Sequence, residues 1–149
     1  MRSARIAPAV TAMLLAACGT PAPDCTSLGV QRNLSTLVRE RVLRAELDSA
    51  AVEDAPTRGR IDMATSVIIE QTRQTGGDAR RALCSATLAI EGMGPDLRSI
   101  VRSETDVSYW VAVDDGGGFF VGLMYSDLEA VAAAHTTATW AGRDRPSPR

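Results

Sequence analysis

Between Ser99 and Val113 apolar and polar residues alternate: Val101, Val107, Tyr109, Val111 and Val113 fall on odd positions, Arg102, Glu104, Asp106 and Ser108 on even ones. Successive side chains of an extended chain point to opposite faces, so the pattern predicts a long strand with one face covered and one wet. Asp114-Asp-Gly-Gly-Gly118 follows as a tight turn, and the aromatic and aliphatic run Phe119–Met124 predicts a strand paired back on the first. A chain with this stretch at its centre is expected to build a sheet around it.

The same period appears twice upstream. Arg81–Glu91 puts Ala82, Cys84, Ala86, Leu88 and Ile90 on one face, and Ile61–Arg73 separates Ile61, Met63, Val67 and Ile69 from Asp62, Ser66 and Glu70. Thr75–Asp78 and Glu91–Asp96 read as the turns between these strands. From Asn33 to Ser49 the period is helical instead: Leu34, Leu37, Val38, Val42, Ala45 and Leu47 form a wide apolar stripe, Arg39, Glu40, Arg44 and Glu46 fill the rest, and Asn33 is a suitable N-cap. Glu53–Gly59 carries turn residues and no period, so it reads as a loop. Ser126 and Glu129 have capping-box spacing and predict a short helix with Leu128 and Val131 on one side. The final residues, 136–149, show no period and are expected to be disordered. The fold class predicted is α+β: an N-terminal helix packed on a four-stranded antiparallel meander, followed by a short C-terminal helix. That element order is broadly similar to cystatin-like small exported proteins, a likeness of architecture that carries no activity with it.

The first nineteen residues read differently. Arg2 and Arg5 precede the apolar run Ile6–Ala17, which as a helix is about 18 Å long against the roughly 30 Å of hydrocarbon that a spanning helix crosses. Leu15-Ala16-Ala17-Cys18 closes the run. This segment resembles the signal peptide of a bacterial lipoprotein, whose lipobox is a Leu, two small residues and a Cys. The resemblance implies that cleavage falls before Cys18, that the Cys18 thiol carries diacylglycerol, and that palmitate-type acyl chains anchor the protein in a membrane. Each buried acyl CH₂ contributes about 0.8 kcal/mol, so two or three chains hold firmly where one holds marginally. By similarity to enterobacterial lipoproteins, Gly19 after the lipidated position favours the periplasmic face of the outer membrane. The organisation expected is a signal peptide over 1–17, a lipidated Cys18 and flexible tether over 18–32 with Pro21 and Pro23 in it, one domain over 33–135 and a tail over 136–149.

With the first 17 of the 149 residues removed, 132 remain, enough for a single domain. All sixteen basic residues are Arg; fourteen of them stay in the mature chain with eighteen acids, a formal side-chain charge of −4. Interspersed charge of that sign provides no footprint for nucleic acid. Three Cys less the lipidated Cys18 leave Cys25 and Cys84, an even pair in an exported chain, and a disulfide between them is expected; the alternative is a buried thiol at Cys84 and an exposed one at Cys25.

Candidates for chemistry are few. His135 is the only histidine and falls near the end of the chain, where a surface or helix-end position is expected in place of a catalytic one. The Cys pair lacks CxxC spacing, Asp114 and Asp115 lack the further ligands of a calcium loop, and Gly116–Gly118 lies between strands, so no catalytic residue, metal site or cofactor is expected. Tyr109-Trp110 and Phe119-Phe120 each put one aromatic on either face of the sheet. Trp110 and Phe120 fall on the solvent side, and unless the C-terminal helix or tail covers them they form a patch suited to a protein partner. The functional expectation is an envelope lipoprotein, not an enzyme, that binds a protein as an assembly factor or an inhibitor. The alternatives are a small envelope enzyme working through carboxylates such as Glu70, Glu91 or Glu104, and a purely structural envelope component.

Overall fold

The computed structural model describes residues 24–140, and the expectations for the signal peptide, Cys18 and residues 141–149 lie outside them. Helix α1 spans Leu28–Ala50, starting five residues before the expected Asn33. Ser27 is the cap, its side chain accepting from the Val30 amide, and Asn33 is an exposed residue within the helix. The buried residues Val30, Leu34, Val38, Val42, Glu46 and Ala50 are spaced strictly four apart. A row at that spacing winds slowly around the helix, so α1 lies obliquely on what it covers. Val30 continues the row backwards, which is why the helix reaches into the expected tether. Leu37, expected in the stripe, is exposed, while Glu46, expected on the wet side, is fully buried.

Helix α2, Ala55–Ala64, replaces the expected loop and the first residues of the expected first strand. Asp54 caps it by accepting from the Thr57 amide at 2.8 Å, and Pro56 sits in the first turn, where its missing N–H costs nothing. Ile61 and Met63 do not share a face: Ile61 is buried with Ala50 and Met93 in a small second core, and Met63 is exposed.

Four antiparallel strands follow in meander order: β1 (Ser66–Gly77), β2 (Arg81–Met93), β3 (Ile100–Val113) and β4 (Phe119–Gly122). The α+β architecture with a four-stranded antiparallel sheet matches the expectation in outline. In β2, Ala82, Cys84, Ala86, Leu88 and Ile90 are all buried, as the alternation predicts, and Val107, Tyr109 and Val111 of β3 lie beside them. β1 begins five residues later than expected and runs through the expected turn, with register shifts between Glu70 and Arg73 and between Gln74 and Gly76; Gln71 at φ 46° marks the first bulge.

Helix α3, Tyr125–Trp140, is sixteen residues long and takes in residues 136–140 of the expected tail. Its first turn closes on the Met124 carbonyl, which accepts from the Asp127 and Leu128 amides at 3.1 Å, so Ser126 lies inside the helix and is not its cap. The expected capping box does not form because the Glu129 carboxylate is held by Arg41 of α1. Both α1 and α3 pack on the face of the sheet that carries Cys84, Leu88 and Val107, and α1 also packs on α3. No helix among the described residues is long and apolar enough to cross a membrane.

Candidate functional site

Cys25 and Cys84 are joined by a disulfide, their Cα atoms 5.9 Å apart. The bond fixes the segment entering α1 against the first, turn-proximal residues of β2, and the Tyr109 hydroxyl, on β3, donates to the Cys25 carbonyl at 3.2 Å. The expected flexible tether therefore stops short of Cys25, which is completely buried.

Below the staple the apolar layer contains a polar chain that crosses it. His135 Nε2 lies 3.1 Å from Glu46 Oε1, and Nδ1 lies 2.6 Å from Ser103 Oγ on β3. Glu46 Oε2 accepts from Thr65 Oγ1 at 2.6 Å, and Thr139 Oγ1 stands 3.2 Å from His135 Nε2. Glu46 and His135 are 0 % and 1 % exposed, so the histidine expected at the surface is one of the most buried residues in the protein. Gly92 of β2 makes room for them: a Cβ there would stand 1.9 Å from Glu46 Oε1 and 2.6 Å from His135 Nε2. Hydroxyl, imidazole and carboxylate in this order are the parts of a nucleophile, base and orienting acid. Yet the imidazole is enclosed by α1, α3 and the sheet, and a substrate carbonyl has to meet nucleophile and base together. The chain instead satisfies buried polar groups on α1, α3, β3 and the end of α2 at once, which a core must do wherever it admits a carboxylate.

Glu70, Glu91 and Glu104 come together on the open sheet face around Arg102, at 2.8, 3.8 and 3.3 Å. Their side chains are each more than a third exposed, and the guanidinium is held above its usual pKa by the hydrogen bond it donates to Glu70 and then by the one it donates to Glu104. Such a cluster is a wet ion-pair network. In the hairpin between β3 and β4, the Asp114 carboxylate accepts from the Gly116 and Gly118 amides, and Asp115 pairs with Arg80 at 2.6 Å. Among the described residues no group of three or more His, Cys, Asp or Glu is arranged to hold a metal ion.

Trp110 and Phe120 lie on the open face and touch edge to face, with ring centroids 5.2 Å apart. Trp110 is half-buried because its indole covers Gly122, where a Cβ would fall 2.1 Å from the ring, and because the Arg81 guanidinium lies 4.8 Å from its centroid. Phe120 is 46 % exposed, and Leu83, opposite Trp110 in the register, is 42 % exposed. Helix α3 does not cover them, since it packs on the other face. A second open feature is the outer edge of β3. β4 pairs with Trp110–Val113, so among the described residues Ile100–Tyr109 has no strand on that side, and a groove of about 390 Å³ runs there between Thr105, Ser108, Asp127 and Ala134.

No protein-family model matches the chain, and neither a curated protein nor a solved structure does, so the broad likeness to cystatin-like proteins rests on element order alone.

Proposed function

We propose that the chain is a lipid-anchored protein of a bacterial envelope, on the periplasmic face of the outer membrane, that works by binding another protein as an assembly factor or inhibitor. The observation that carries the reading is the Cys25–Cys84 disulfide, seven residues beyond the lipobox Cys18. Disulfides persist in oxidising compartments outside the cytosol, so the bond and the lipobox support the same address independently. Binding is supported by how much backbone the sheet leaves open: a strand edge ten residues long beside a groove suits addition of an extended segment from a partner.

The enzymatic alternative has little to draw on. Its carboxylates Glu70, Glu91 and Glu104 are solvated, and Glu46, the fully buried one among the described residues, faces Thr65 and His135. A photoreactive amino acid replacing Ser108, tested in intact cells, checks the binding reading. A discrete protein adduct is expected from that position and not from a probe at the exposed Glu53. No adduct, or the same adducts from both positions, contradicts it.

A further inference from the structure

We infer that the patch of Leu83, Trp110 and Phe120 is where the domain rests on the lipid bilayer that holds its anchor, an inference that builds on the lipoprotein reading. Position supplies the first argument. Leu83 is the residue next to Cys84, and Cys84 is bonded to Cys25, where the tether ends. Seven residues separate Cys18 from Cys25, so even fully extended they span no more than about 25 Å. A diacylglyceryl group on Cys18 therefore keeps this end of the sheet within about 25 Å of the headgroups, with Leu83 on the face of β2 opposite the disulfide. Leu28 is at the same end: it is 81 % exposed in the first turn of α1, and the neighbouring Gly29 lies against the ring of Phe119.

Size and chemistry supply the second. Two partly covered aromatics and one Leu offer on the order of 200 Å² of apolar surface, where a fully buried aromatic alone contributes 150–250 Å². A stable protein interface takes about 800 Å² from each partner. A surface already tethered to its ligand needs far less, because the anchor sets a high effective concentration. Trp and Phe with an adjacent Arg suit the bilayer interface, where an indole sits at headgroup depth and a guanidinium reaches phosphate. Charge decides which lipid. Arg80 and Arg81 are offset by Asp78, Asp114 and Asp115 at the same end, and Arg80 is paired with Asp115, so the contact is apolar in origin and does not depend on anionic lipid.

The test uses the full-length lipidated protein, carrying Trp140→Phe so that Trp110 is the remaining indole, in phosphatidylcholine vesicles with and without brominated acyl chains. Flotation and intact mass report the anchor; indole quenching reports the patch. The expected result is acylated, floating protein whose fluorescence falls at least about twofold in brominated vesicles, unchanged on adding phosphatidylglycerol. Phe120→Asp, at an exposed position, should float equally and lose the quenching. Because Trp140 packs in the second core, Trp110→Phe on the natural background is the companion variant and should remove the bromine effect. Acylated, floating protein with unquenched Trp110 overturns the inference and leaves the anchor standing, the outcome expected if the patch belongs to a protein partner. Protein that neither floats nor carries acyl mass overturns both.

Discussion

Glu46 of α1 and His135 of α3, 89 residues apart in sequence, meet at 3.1 Å inside the core, and both press on the backbone of Gly92. Three elements are thus fitted to one another at a point where no Cβ can stand. Gly92→Ala is expected to break the pair or displace the strand and to cost about 2–4 kcal/mol, the range of severe overpacking and broken buried networks. Urea unfolding measures it; a loss under about 0.5 kcal/mol contradicts the arrangement.

A buried polar group left without its hydrogen-bonding partner is costly, whereas replacing both members together by apolar groups is much less so. Glu46→Leu and His135→Leu alone should each destabilise by about 1–3 kcal/mol, and the double substitution by clearly less than their sum. Equilibrium unfolding of the four proteins closes the cycle. Simple additivity would mean that the two side chains do not support each other.

The contrast between β2 and α2 shows what the sequence discloses. One face of β2 is sealed and its neighbours are strands, so burial writes a clean alternation from Ala82 to Ile90. In α2 the start signal Asp54-Ala-Pro56 also suits a turn, Gly59 weakens a helical reading, and Ile61 with Met63 imitates alternation by chance. Thr57 and Ile61, four apart and both buried, held the correct period. The cysteine pair was legible because setting the lipobox Cys18 aside leaves an even count, the count expected of a disulfide-bonded chain. The Glu46–His135 pair was not, because a carboxylate in a helix looks solvated until its partner is in place. Its one local signal was position: Glu46 occupies the four-residue row of Leu34, Val38 and Val42.

The Cys25–Cys84 bond closes a loop of 59 residues. Chain-entropy arguments put the stabilisation from a loop of that size at about 4 kcal/mol, and measured values often fall lower. Replacing both cysteines by Ala is expected to remove about 2–4 kcal/mol without changing the fold. Denaturant midpoints of the two proteins give the difference, and an unchanged midpoint contradicts a structural role for the bond.

Asp96, in the loop between β2 and β3, accepts from the Ser99 and Arg98 amides and the Ser99 hydroxyl, all within 2.9 Å. These bonds, the Ser99 amide first, hold its pKa down to about 2 from 3.8. A depressed carboxylate stabilises the fold fully above its unfolded pKa and loses that contribution as pH falls through the folded one. Melting temperature should therefore decline between about pH 4 and pH 2 more steeply in the natural protein than in Asp96→Asn. Parallel curves would remove Asp96 from the acid response.

Labelling of cells with radioactive palmitate, followed by isolation of the natural protein and Cys18→Ser, tests the account at its root. Label on the natural protein and none on the variant is the predicted result. Unlabelled natural protein, found in the cytosol with Met1 still in place, would contradict the anchor, the compartment and the envelope partner together.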